Sequence, residues 1–436
     1  MTVIHQAYET NFWNILKKSC HFTNRDISAL WAIVSTIIGT HSFSLSGVSS
    51  AFGRKVGRNF LAKVLKKYSY VQRKIAKILI KMVLSKIPPG SKIYLIIDDT
   101  LVHKRGKKIF GSLQWYDHAS RRRVQALGIV NVAVVVNDKV VFILPVLLLS
   151  TKKRASKGFK KQKEQGAKTL AAIEMLQEFL QWFEEIGIAR GRTVVLADSW
   201  YGSQPMPDFL RDSKAKFRVD GKKNYSVQMV DHGAVKKARE KARAKMEAAG
   251  RKKVKKKTTG KKKARKATTD KKRPRLVKYC RLDKYLGDPL KWKHFTDPVT
   301  GEKVYRKKAL VTLKTAGRTL VYAFKRESCK KTKFIMTNPA LNNKPDHRNI
   351  YQDYRIRWRI EEAHRDLKQQ FGLGKCRNRD AWAVNGFIGL IYFAYSLFKQ
   401  QAFFDAPGSS TVYNTPTWAE EFHKTCVYLE MAAKIC

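Results

Sequence analysis

Apolar positions in the first 90 residues recur at helical spacing, which predicts a run of helices. Within them, SLSGVSSAFGRKVGRNFLAKVLKK (Ser44–Lys67) predicts a short helix, a turn at Gly53 and a second, basic helix. Pro88-Pro89-Gly90 breaks the run, and the texture then becomes that of strands. KIYLIIDDT (92–100), LGIVNVAVVV (127–136) and VVFILPVLLL (140–149) are almost continuously apolar, as strands covered on both faces are. Asn137-Asp138 predicts a hairpin turn between the second and the third. An amphipathic helix is predicted over Gln162–Ile186, followed by an apolar strand in TVVLADSWYG (193–202) that runs into a loop at Asp198. A short helix (Met206–Asp212) and a strand at Phe217–Val219 complete this series.

From about 222 to 333 the pattern is interrupted. Arg251–Arg275 is low-complexity and is expected to be disordered through self-repulsion. KALVTLKTAGRTLVYAFKR (308–326) predicts a hairpin turning near Ala316-Gly317, and the whole segment is expected to be an insertion. KFIMTNPAL (333–341) returns to strand, and Pro345-Asp346 starts a helix holding YRIRWRIEEAHRDLK, Tyr354 to Lys368. These boundaries predict an N-terminal helical DNA-binding domain (1–90) and a core in two parts (91–222 and 333–404). A β-rich insertion (223–332) with a Lys-rich tract at about 234–275, and a C-terminal helical tail (405–436), complete the expected organisation. The order strand, strand, strand, helix, strand, helix, strand, with the first three antiparallel, resembles an RNase H-like α/β fold, a mixed sheet flanked by helices.

Charge narrows the function. Lysine and arginine number 89 against 34 acids in 436 residues, a formal net charge of +55. Arg251–Arg275 alone holds 15 basic residues and one acid, and the rest of the chain still carries +41. Such an excess implies a polyanionic partner, nucleic acid first. The basic helix before Lys67 then reads as the second helix of a helix-turn-helix, or as a helical pair with a solvated basic face. A membrane surface would want a lipidation signal or a terminal amphipathic basic helix, and MTVIHQAYETNFW offers neither. The apolar runs Leu30–Gly39, Val140–Leu149 and Gly386–Phe398 are too short to span a bilayer, and no leader is expected. Six scattered cysteines without a C-x-x-C pair exclude the usual zinc and disulfide frameworks and suit a reducing interior, so a cytoplasmic, nucleoid-associated location is expected.

On one continuous helix, Tyr354, Arg357, Glu361 and Lys368 fall in a stripe roughly 60° wide. Ile356, Ile360, Ala363, Leu367 and Phe371 form a second stripe about 110° away. A charged stripe is usually a solvated face, but Y-x2-R-x3-E-x6-K is fulfilled at all four positions. This segment resembles the DDE-class insertion-sequence transposases that carry the Tyr-Arg-Glu-Lys signature. The resemblance implies that Glu361 is a catalytic carboxylate, with Tyr354, Arg357 and Lys368 touching transposon-end DNA. It also implies two aspartates: Asp99 in IIDDTLVHKRGKK (96–108), directly before Thr100, with Asp98 as the alternative, and Asp198 in LADSWYG. The intervals of 99 and 163 residues leave room for an insertion before the last helix.

Three carboxylates suit Mg²⁺ or Mn²⁺, which take oxygen ligands, and two ions are expected. The implied activity is metal-dependent cleavage of double-stranded DNA at transposon ends and joining of the 3′-OH to target DNA, by a homodimer holding paired ends. Another RNase H-like nuclease, or a domesticated DNA-binding protein without catalysis, are the rival readings. His103, His118 and His364 are read as incidental, and Trp200, Trp292 and Trp358 as core residues before base-stacking groups.

Overall fold

The computed structural model describes residues 3–40, 44–51, 56–106, 108–149, 164–230, 277–338 and 346–405. The tract Arg251–Arg275, with its expected disorder, and residues 406–436 of the expected C-terminal tail lie outside them. The chain divides into two compact units, residues 1–220 with 341–436, and residues 221–340.

The first unit is a mixed sheet flanked by helices. Its strands are β1 (Ile93–His103), β2 (Ser112–Asp117), β3 (Arg122–Val136), β4 (Lys139–Leu147), β5 (Thr193–Ala197) and β6 (Lys216–Gly221). They lie in the order β2-β3-β1-β5-β6, with β4 also paired to β3. β3 is antiparallel to β1, β2 and β4, whereas β5 runs parallel to both β1 and β6. Residues 93–97, 126–136 and 193–197 are all buried, which is why these strands read as unbroken apolar runs rather than alternating ones. Asn137 turns the β3–β4 hairpin with φ 57°, a conformation asparagine adopts readily. β2 escapes sequence reading because only its Trp115 is buried.

Helices α1 (Val3–Cys20), α2 (Asn24–Thr40), α3 (Leu45–Ala51) and α4 (Arg58–Leu84) belong to this same unit. Thr23 and Asp26 cap α2 reciprocally: the Asp26 N–H donates to Thr23 Oγ1 (3.1 Å) and the Thr23 N–H to Asp26 Oδ2 (2.9 Å). α4 is the basic helix foreseen after Gly53, but it runs 27 residues and buries a full face from Leu61 to Leu84. That face lies on α10 (Ala381–Asp405), whose stretch Ala381–Gln400 has the length and hydropathy of a membrane-crossing helix. The sequence reading found no run that long. Here 78 % of the stretch is buried inside the unit, against α2, α4 and β4. Its polar residues serve the sheet: Ser396 Oγ accepts the Ile143 N–H (3.2 Å) and Gln400 Nε2 donates to the Val141 carbonyl (2.9 Å). Backbone groups of β4 that its pairing with β3 leaves open are thereby satisfied.

The second unit is built of antiparallel strands, β12 (Lys333–Thr337), β11 (Gly317–Arg326), β10 (Lys303–Leu313), β7 (Ser226–Val230) and β8 (Val277–Arg281), in that order. β9 (Lys293–Thr296) pairs with β10, and a short helix α7 (Leu282–Leu286) follows β8. Gly317, at φ 68°, closes the β10–β11 hairpin at the expected place.

The α4–α10 contact depends on missing side chains. A Cβ at Gly386 would stand 2.8 Å from the Leu65 carbonyl oxygen. Gly→Ala inside a helix ordinarily gains roughly 1 kcal/mol. Overpacking against backbone that cannot rotate away costs about 1–3 kcal/mol. Gly386→Ala should therefore lower the urea unfolding midpoint, and an unchanged or higher midpoint would show that the helices part easily.

Candidate active site

Parallel pairing sets Ile97 of β1 beside Ala197 of β5. The next residue on each is an aspartate: Asp98 continues β1 opposite Asn131 of β3, and Asp198 begins the turn after β5, near enough for its charge to act on Asp98. Asp198 is held as the first residue of a turn. Its Oδ1 accepts the Trp200 N–H (2.9 Å) and its carbonyl accepts the Tyr201 N–H (3.3 Å). Asp98 and Asp99, being consecutive in a strand, face opposite sides of the sheet.

Asp98 faces the segment that carries Glu361. That segment is two helices, α8 (His347–Arg355) and α9 (Trp358–Gln369), where one continuous helix was expected. Between them the N–H groups of Ile356, Arg357 and Arg359 donate to carbonyls three residues back, so the chain is wound more tightly there. Tighter winding stacks residues i and i+3, and the Arg357 guanidinium lies 6.0 Å over the Tyr354 ring. Asp346 starts α8 by accepting the Arg348 N–H, and a buried polar group anchors its far end. There Asp353 Oδ1 accepts from Tyr94 OH (2.9 Å), and Arg218 Nη2 lies 3.6 Å from Asp353 Oδ2.

Arg357 joins two of the acids. Its Nη1 is 3.8 Å from Asp98 Oδ2, and its Nη2 donates to Glu361 one turn further along. His364 Nδ1 lies 4.0 Å from the same Asp98 oxygen, while its Nε2 meets Asn131 Nδ2 at 2.9 Å. Burial, with Lys368 and Arg357 nearby, pushes the His364 pKa down to about 3, so the ring is neutral.

Asp99 turns to the other side, toward α5 (Glu164–Glu184), where its Oδ2 accepts from Lys168 Nζ at 2.6 Å. The Lys168 ammonium also lies over the rings of Trp115 (5.4 Å) and Trp200 (5.0 Å).

The electrostatics are those of crowded acids. Burial pushes the Asp98 pKa up to about 7, with Asp198 and then Asp99 adding to the rise and Arg357 opposing it. Burial also raises Asp198, and Asp99 contributes. The fully buried Tyr201 hydroxyl makes no hydrogen bond in this structure, and its pKa is raised by burial and by Asp99, Asp98 and Asp198.

The structure thus brings Asp98, Asp99 and Asp198 into one another's field, and links Glu361 to Asp98 through Arg357. Among the described residues, no three His, Cys, Asp or Glu side chains are gathered as a ready metal cage. Asp99 and Glu361 are each turned onto a cation instead. Tyr354 is buried at 8 % exposure, while Lys368 is exposed, with Asp117 and Asp98 acting on its ammonium. Lys168, Trp115 and Tyr201 carried no pattern that sequence reading could use. Asn131 did, as the one amide in the run LGIVNVAVVV. His364, read as incidental, stands beside Asp98.

Residues 24–280, more than half of the chain, match the family described as DDE superfamily endonuclease. The chain belongs to this family. The matched span contains Asp98, Asp99 and Asp198 and ends before Glu361 and helix α9. No curated protein matches the endonuclease.

A carboxyl whose pKa is raised on folding destabilises the protein when ionised. For Asp98 the unfolded value is about 4 and the folded value about 7. The penalty is absent below the first and fully present above the second. In metal-free protein, Asp98→Asn should therefore raise Tm at pH 8, with the advantage shrinking as pH falls from 7 to 4. An advantage independent of pH would show that Asp98 is not held in a carboxylate-hostile site.

Proposed function

We propose that the endonuclease is a DNA transposase of the Tyr-Arg-Glu-Lys type. It would cleave transposon ends and join the freed 3′-OH to target DNA, with a catalytic core of the RNase H-like kind. The observation that carries this reading is that Asp98 and Asp198, each following the paired residues Ile97 and Ala197, lie in one electrostatic field, with Arg357 of the helix that offers Glu361 and Lys368 reaching Asp98. The strand order β4-β3-β1-β5-β6, three antiparallel and then two parallel, supports the RNase H-like reading.

The donor set fits a hard divalent cation. It is all carboxylate oxygen, and Asp98 and Asp198 are short of the positive charge that would keep both ionised. In this reading Asp98, Asp198 and Glu361 hold Mg²⁺ or Mn²⁺, Asp98 taking the role that the sequence pattern offers to Asp99. Such ions, when bound, activate an attacking oxygen and stabilise a leaving one. The chain's own residues do the rest. Arg357 holds Glu361 and Asp98 in one plane of approach, and His364, neutral and backed by Asn131, steadies Asp98. Tyr354, packed on Arg357, sets the guanidinium's direction, and Arg357 and Lys368 present positive charge to phosphates beside the acids.

On α4, Arg58, Lys63, Lys66, Tyr70 and Lys74 are exposed, and the residues 58, 66, 70 and 74 repeat at helical spacing. We read this as a backbone-contacting surface for duplex DNA. Two copies would hold paired ends, in the cytoplasm among the nucleoid.

The test is cleavage of a duplex carrying the DNA that borders the endonuclease's own gene. Asp98→Asn, Asp198→Asn and Glu361→Gln should each cut Mg²⁺-dependent cleavage on the order of 10³-fold or more. Asp99→Asn should cost about 10–100-fold, as loss of a supporting group does. Full activity in Asp98→Asn would return the role to Asp99. The α4 surface is tested by salt. Changing Lys63, Lys66 and Lys74 together to alanine should lower the slope of log affinity against log salt by about two to three. An unchanged slope would remove α4 from the DNA interface.

A further inference from the structure

Lys168 occupies a seat built for one ammonium. Its side chain is 12 % exposed and donates to Asp99 Oδ2 at 2.6 Å, under two indole rings. Each wall is fixed by the structure around it. The Trp115 ring lies so close on Gly128 of β3 that a Cβ there would meet it at 2.6 Å. Trp200 is two residues past Asp198 and donates its backbone N–H to that carboxylate. The seat therefore touches β1 through Asp99, β2 and β3 through Trp115, and the Asp198 turn through Trp200. A compact ammonium fits between two ring faces where a planar guanidinium would need a different opening.

Three aspartates lie in one field, and an unguided divalent cation could draw on any of them. Resting on the reading above, we propose that Lys168 is a positioning residue of the active site. It neutralises Asp99 and holds it on the α5 side of the sheet, so that a divalent cation meets Asp98 and Asp198 and not a third aspartate. Without Lys168 the site has one uncompensated negative charge more, which strengthens cation binding while loosening where the cation sits. Without Asp99 the ammonium is left uncompensated, and cation binding weakens.

The experiment follows the Mn²⁺-dependent rise in Tm, which needs no DNA, beside cleavage at saturating Mn²⁺. Lys168→Met should lower the half-saturating Mn²⁺ concentration on the order of tenfold yet reduce maximal cleavage. Asp99→Asn should raise the half-saturating concentration. The double variant should return toward the unsubstituted midpoint and recover cleavage relative to Lys168→Met, because the two charges cancel. A merely structural Lys168 predicts lower Tm in both single variants, unmoved Mn²⁺ midpoints and no recovery in the double. That result would overturn the inference alone. Absence of any Mn²⁺-dependent rise in the unsubstituted chain would overturn the metal-dependent reading together with it.

Discussion

Two acids standing one residue past the same rung of a parallel pair are the constraint on which this molecule turns. Ile97 and Ala197 are partners across β1 and β5, so Asp98, still within β1, and Asp198, the first residue after β5, both follow the same rung. Burial raises both pKa values, and carboxylates act in the same direction, Asp198 and Asp99 on Asp98, and Asp99 and Asp220 on Asp198. The surrounding fold keeps that arrangement in place. The α10 helix, locked to α4 by glycine contacts and to β4 by Ser396 and Gln400, closes one side of the sheet.

Charge is distributed accordingly. In a chain of net +55, acids might be expected only as scattered partners for surface cations. Several are: Glu178 and Glu185 on or just beyond α5 pair with Arg73, Lys77 and Lys81 of α4. At the active site the relation is different. Each cation there is assigned to a particular carboxylate, Arg357 to Glu361 and Asp98, Lys168 to Asp99, Arg218 to Asp353. The first two pairs leave Asp198 as the acid of this group without an ion pair to Arg357 or Lys168, and the third holds the helix that precedes Arg357. Local stability is given up at Asp98 and recovered in the core around it, as functional sites commonly require.

The break between α8 and α9 shows how a small backbone change shapes the site. Three bonds of the tighter kind around Ile356 rotate Tyr354 under Arg357. A straight helix would leave the two offset and would leave the guanidinium freer to choose a partner. Tyr354 consequently belongs to the interior of the site and Lys368 to its rim.

Much of this was written in the chain. Unbroken apolar runs mark β1, β4, β5 and the second part of β3, and helical spacing marks α5 and α6 (Met206–Asp212); the first five residues of β3, partly exposed, are not marked. The spacing Tyr354, Arg357, Glu361, Lys368 likewise marks a segment that the structure divides between α8 and α9, with Arg357 reaching Asp98. What sequence could not decide was the face. Asp98 and Asp99 are chemically the same and adjacent, and only the packing of α9 and α5 against β1 turns Asp98 toward Arg357 and Asp99 toward Lys168. Nor does sequence join Lys168 to Asp99 or Asn131 to His364, since those contacts arise when α5 meets β1 and α9 meets β3, elements far apart in the chain. Local pattern determined the elements, because it reports each segment's own burial. Tertiary packing determined the site, because a side chain's partner across a sheet is fixed by register and by the layer above it, and neither is a local property.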